Sequence, residues 1–217
     1  VGIGLHHSSA ALIPYLVNFK EPFLLVSTGT WCISLNPFNT SPLSTFELES
    51  DCLCYLHYQG KPVKASRLFA GNEHEQELNI ISNYFSESRS RYEQMNFDTA
   101  FLKYLDQEEV YSGNDLATYA SDTEAYHRLM IHIIKQQKIS SELVIKGSYV
   151  KRIFVDGGFS KNSIYMNFLS IVFPEMEVFA ASMAQSTAMG AALAIHQVFG
   201  NNPVPNDLIE LKFYSAK

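Results

Sequence analysis

Cysteine is scarce in this chain, and the little there is does not pair up: Cys32, Cys52 and Cys54 are the only three in 217 residues. An odd count, with no second Cys/His pair to complete the Cys52-x-Cys54 step, excludes a disulfide scaffold and a four-ligand zinc site. Alternation in a strand sends Cys52 and Cys54 to one face, and reduced structural thiols are the reading. Positive charge is short as well: 16 Lys and Arg face 22 Asp and Glu, a formal charge of −6. The basic face that displaces counterions from nucleic acid is therefore missing. No apolar run reaches the roughly 20 residues of a membrane span, and the first residues lack the basic start and small-residue flank of a secretory signal. Repeats and low-complexity tracts are absent. These exclusions lead to the expectation of a cytoplasmic protein with neither nucleic acid nor membrane as partner. What is present is a 47% hydrophobic, 18% charged chain, a balance and length that suit one substantial core.

The elements follow from pattern. Phe23 to Ser27 and Trp31 to Leu35 are apolar strands joined by the small turn Thr28-Gly29-Thr30, a β-hairpin. Asp51 to Tyr58 alternates as a strand, and Gln59-Gly60-Lys61-Pro62 turns it into a further extended piece, Val63 to Phe69. Residues 72 to 145 read as mostly helical. Asn72 with Glu75 forms a capping-box pattern before Leu78, Ile81 and Phe85, and Ser121-x-x-Glu124 caps a longer helix with Ala125, Leu129 and Ile133 on one buried face. Between them Ser86 to Asn96 reads as a polar surface loop, with Glu87 and Glu93 interleaved among Tyr84, Arg89, Arg91 and Tyr92. Arg152 to Val155 is a buried strand, Asn162 opens a helix, Glu177 to Ala180 is a strand, and Gln185 to Phe199 is a small-residue helix stopped by Gly200. The order, β-β-β, helices, then β-α-β-α, predicts an α/β domain with a parallel section covered on both faces.

Three segments can carry chemistry. Thr28-Gly29-Thr30 offers backbone N–H groups and hydroxyls to an anion, or is a plain hairpin turn. Asp156-Gly157-Gly158-Phe159-Ser160-Lys161-Asn162 is a strand end, a glycine break and a helix start. It admits a flat ring or a phosphate close to the backbone, or is a tight βα turn with Asn162 as N-cap. It is neither GxGxxG nor a P-loop. Gln185-Ser186-Thr187-Ala188-Met189-Gly190-Ala191-Ala192 opens a helix small enough to pack close to a neighbour, and Ser186 can cap it beside a ligand.

Taken in order, Ser-Thr-Gly-Thr-Trp, Asp-Gly-Gly-x-x-x-Asn and Ser-Thr-Ala-x-Gly-Ala-Ala resemble the C-terminal domain of the FGGY carbohydrate kinases, members of the sugar kinase/heat-shock-70/actin superfamily with its ribonuclease-H-like core. "STGTW" and "HxSSAAL" look most like the rhamnulokinase and fuculokinase branch. The resemblance implies a single domain over 1–217 with a mostly helical insertion around 72–120, lacking the N-terminal sugar-binding domain. It further implies γ-phosphoryl transfer from ATP to the hydroxyl of a small ketose such as rhamnulose, fuculose or xylulose, with magnesium bridging the phosphate oxygens. Thr28, Gly29 and Thr30 would then meet the transferring phosphate. Gly158, Asn162 and Ser186 would line the nucleotide pocket, with Gly157 permitting close approach. Arg67 and Asn72, in Arg67-Leu-Phe-Ala-Gly-Asn-Glu73, would face the substrate cleft. A face left uncovered by the partner domain would favour a homo-oligomer.

One position departs from the family. In Leu5-His-His-Ser-Ser-Ala-Ala-Leu12, His7 stands where the resemblance places the catalytic Asp. Imidazole can take a proton but brings no negative charge toward the sugar hydroxyl or a metal. His7 is thus a weakened or lost base, a substituted base, or a change in the sequence. A metal site at His6-His7 is disfavoured, because neighbours on an extended segment point apart and no ligand cluster accompanies them.

Overall fold

The computed structural model describes residues 4–183, 185–199 and 208–215. Seven strands make one mixed sheet: β1 (Phe23–Thr28), β2 (Cys32–Asn36), β3 (Cys52–Leu56), β4 (Pro62–Leu68), β5 (Arg152–Gly157), β6 (Glu177–Ser182) and β7 (Glu210–Tyr214). Their order across the sheet is β3-β4-β2-β1-β5-β6-β7. β1, β5 and β6 run parallel, while the hairpin partner β2 and the flanking strands pair antiparallel. The extended piece after Pro62 is a full strand, so four strands rather than three come early. β7, which the sequence reading lacks, is a charged edge strand whose Leu211 and Phe213 stay exposed, so no burial pattern marks it.

Alternation along the central strands builds two cores. Leu24, Val26, Ile153 and Val155 face α3 (Ala70–Phe85), α5 (Asp122–Ile145) and α6 (Ser163–Val172), whereas Phe23, Leu25 and Phe154 face α1 (His7–Asn18), on which α7 (Ser186–Phe199) packs. α7 packs against α1 as its small residues predict: a Cβ on Gly190 would lie 1.8 Å from the Ala10 carbonyl oxygen. Gly200, expected as its stop, lies outside the described residues. α2 (Thr45–Glu49) is a short surface helix closed by a Ser44/Glu47 capping box.

The caps depart from pattern in an instructive way. Ser121 caps α5 by accepting the Glu124 N–H at 3.2 Å, but the Glu124 carboxylate returns to the Ala120 N–H rather than to the cap residue. α3 does not begin at an Asn72 cap. It starts two residues earlier, with no side-chain cap, because the Asn72 N–H donates to the Thr30 carbonyl at 3.0 Å across the hairpin turn. Within the stretch read as a polar loop lies α4 (Arg89–Glu93), and its Tyr92 is 1% exposed against Tyr126. Arg91 holds this helix to the first residue of α5 through Asp122, at 2.5 Å. Cys52 and Cys54 share a strand face, yet only Cys52 is buried, because β3 is an edge strand that runs out from under the helices.

Candidate functional site

The parallel strands end where the chain breaks most sharply. Gly157, the last residue of β5, has φ +95°, and a Cβ there would lie 1.9 Å from the Thr28 carbonyl oxygen. Only glycine meets both demands. Thr28 then fastens the two turns: its hydroxyl donates to the Asp156 carbonyl at 2.6 Å and accepts the Phe159 N–H at 3.0 Å. Its own carbonyl accepts the Gly158 N–H at 3.0 Å. The β1 turn is pinned from its other side by α3, where a Cβ on Gly71 would lie 1.7 Å from the Gly29 carbonyl oxygen.

A cleft of about 580 Å³ opens between these turns and α3. Gly29 and Thr30 border it at the hairpin, Gly158 and Asn162 at the βα turn. From α3 come Gly71, Asn72, His74, Glu75 and Leu78, one helical face, so the wall extends about 10 Å from the turns at ~1.5 Å per residue. Tyr126 and Phe159 add apolar surface, and Lys161, Arg89 and Glu93 add charge. The hairpin end is made of small residues and backbone, which suits an anion. Leu78, Tyr126 and Phe159 give the rest of the cleft apolar and aromatic surface that suits a flat ring, beside the Arg89–Glu75 pair.

Polar side chains in the cleft are tightly arranged. Asn162 caps α6 through its Oδ1, which accepts the Tyr165 N–H at 3.0 Å, and its Nδ2 donates to the Tyr126 hydroxyl at 2.7 Å. His74 Nε2 lies 3.1 Å from that hydroxyl, and its ring meets Phe159 edge-on at 5.2 Å. Burial pulls the His74 imidazole down to about 4, with Glu75 opposing and Arg89 adding to the shift. Arg89 itself pairs with Glu75 and with the Asn79 side chain.

The sequence-predicted residues divide between two faces of the sheet. Gly29, Thr30, Asn72, Gly158 and Asn162 meet in the cleft. Thr28 and Gly157 lie beneath it and hold its floor. Ser186 is elsewhere, on the α1/α7 side, where it hydrogen-bonds the buried Asp156 carboxylate, whose affinity for a proton desolvation raises. His7 is the first residue of α1, exposed, and is not among the residues lining the cleft. His6 is the α1 N-cap, accepting the Ser8 N–H at 3.3 Å and stacking on Tyr55 at 5.0 Å. Arg67 is engaged in a half-exposed pair with Asp51 at 2.5 Å and lies 5.2 Å from the Trp31 ring, which packs on Phe69. Among the described residues no group of three His, Cys, Asp or Glu side chains is placed to hold a metal ion.

The family described as "Carbohydrate kinase FGGY, C-terminal domain" matches residues 20–203. The chain belongs to this family. Its sheet and helices have the actin-like ATPase fold, and solved carbohydrate kinases share it. A carbohydrate kinase from Novosphingobium aromaticivorans matches with TM-score 0.66 and 20% identity over 98% of this chain and 48% of that one. A ligand-bound xylulose kinase from Lactobacillus acidophilus gives 0.69 and 14% over 96% and 45%. A xylulose kinase from Rhodospirillum rubrum gives 0.72 and 11% over 97% and 46%. The FGGY domain described here thus spans about half the length of those kinases. No curated protein sequence matches significantly. Among the described residues no helix is long and apolar enough to cross a membrane.

His74, Tyr126 and Phe159 are cleft residues that the sequence motifs do not single out. A signal existed for His74: Gly71, His74, Glu75 and Leu78 have i, i+3, i+4, i+7 spacing, the pattern of one helix face. Tyr126 carries no comparable local signal, since only the packing of α5 against α6 brings it to Asn162, whereas Phe159 stands in the same turn as Asn162, whose N–H donates to the Phe159 carbonyl at 3.0 Å.

Proposed function

We propose that this domain is the nucleotide-binding half of an ATP-dependent sugar kinase. The carrying observation is the convergence of two glycine turns and one helix start on a single cleft, where Gly29, Thr30 and Gly158 stand together with the apolar and aromatic surface of Leu78, Tyr126 and Phe159. The hairpin turn receives the polyphosphate: its small residues let the phosphates approach closely, and the Thr30 hydroxyl, already held in place by the fold, offsets charge there. The nucleoside lies along α3 toward Leu78 and Asn162. When bound together with the nucleotide, magnesium would supply charge compensation at the phosphate oxygens. The acceptor is a hydroxyl of a small sugar, held mainly by an N-terminal domain, and the STGTW and HxSSAAL motifs favour a ketose of the rhamnulose or fuculose kind. A cytoplasmic setting suits three unpaired cysteines, two of them buried.

His7 supports a second reading, a catalytically impaired nucleotide-binding module. An exposed imidazole at the family's Asp position supplies no anion to orient a sugar hydroxyl, and loss of a positioned base lowers rate by about 10²–10⁴. Calorimetric titration with magnesium ADP tests the main reading: saturable binding, weakened about tenfold or more by Asn162→Ala, is expected. In a chain carrying both domains, His7→Asp restores sugar phosphorylation if only the base is lost and leaves turnover absent if the module is impaired throughout.

A further inference from the structure

The cleft contains a hydrogen-bond chain that phosphate binding leaves unused. Because the Asn162 carbonyl is committed to the Tyr165 N–H at the α6 cap, its amide orientation is fixed, and Nδ2 donates to Tyr126. The Tyr126 oxygen therefore accepts at that contact, and its own hydrogen needs an acceptor in a side chain 1% exposed. His74 Nε2, at 3.1 Å, is that acceptor. A ring nitrogen that accepts carries no hydrogen, so the proton of neutral His74 sits on Nδ1. The ring is neutral at pH 7, since burial dominates over the opposed influences of Glu75 and Arg89. Glu75 Oε1 is 3.9 Å from Nδ1, beyond a hydrogen bond, and the other oxygen of that carboxylate is taken by Arg89. The His74 Nδ1–H is thus left over as a donor of fixed orientation in the cleft wall, beside the second hydrogen of the Asn162 amide.

We infer that His74 presents its Nδ1–H to a ring-nitrogen acceptor of a purine base, with Tyr126 and Asn162 as positioning residues that hold the tautomer; this rests on the nucleotide reading of the cleft. The surroundings fit a flat ring: Leu78 lies one turn further along α3, and Phe159 is stacked on Tyr165 at 4.5 Å. A ribose hydroxyl both donates and accepts, so it bonds equally well to a donor or an acceptor and a locked donor confers no selectivity on it. A base edge does, because a fixed donor rejects a ring position that carries its own hydrogen.

Two measurements decide. Long-range ¹H–¹⁵N correlation on the whole chain should show His74 with hydrogen on Nδ1 and none on Nε2; the reverse tautomer overturns the inference. Titration of the wild type with ADP and its 1-deaza, 3-deaza and 7-deaza analogues should show one analogue binding about fivefold more weakly than ADP. His74→Phe should lose that selectivity, and Tyr126→Phe should blunt it in a chain whose thermal melt shows it folded. A wild type that binds ADP and all three analogues alike overturns the role of His74 alone. A folded wild type that binds no ADP overturns the nucleotide reading itself, and this inference with it.

Discussion

Gly157 carries two independent demands, a positive φ of +95° and a carbonyl oxygen of Thr28 where a Cβ would go. Gly157→Ala should therefore cost about 2 kcal/mol or more, the range for a side chain forced into such backbone. The melting temperature should fall by about 4 °C or more for a domain of this size; an unchanged melt would show that the turn can relax. Asp122 tests a charge rather than a shape. The Arg91 guanidinium beside it holds its carboxyl below the usual aspartate value. A carboxylate lowered in the folded state stabilises above its unfolded value near 3.8 and loses that contribution as pH falls through the folded value. Asp122→Asn should thus melt lower than the wild type at pH 7, with the gap closing toward pH 2, as parallel thermal melts would show. A constant gap would assign the loss to packing.

Among the elements, α3 decides whether the cleft exists. Alanine favours a helix over glycine by about 1 kcal/mol, so Gly71→Ala would ordinarily stabilise. Here the added Cβ lies 1.7 Å from a backbone oxygen, and the helix or the hairpin turn must move. The variant should melt lower and bind magnesium ADP at least about tenfold more weakly; undiminished binding would place the nucleotide elsewhere. The same contact explains what was legible in sequence. The hairpin, the glycine break before Asn162 and the Ser121 cap are local patterns, and they fold as read. Asn72 resembles a cap because Glu75 follows it, but a carbonyl from a turn some 40 residues earlier satisfies the helix start instead. Tyr92 sits among charges and is buried only because α4 folds back on Tyr126. Such facts belong to tertiary packing, which residue order does not spell out.

For the whole molecule, the sheet separates two groups of conspicuous residues. The cleft with Asn162, Tyr126 and His74 lies on the α3/α5 side, while Asp156, Ser186 and the α1 helix bearing His7 belong to the other. The domain spans about half the length of the solved kinases it matches; on the proposed reading its cleft receives the nucleotide and a partner domain holds the sugar. The most direct test is an amide-resolved NMR titration of the ¹⁵N-labelled chain with magnesium ADP. The account predicts saturable shifts concentrated at Gly29, Thr30, Asn72, His74, Gly158 and Asn162. Saturable shifts centred on α1 and α7 instead, or a folded chain with no shifts at all, would contradict it.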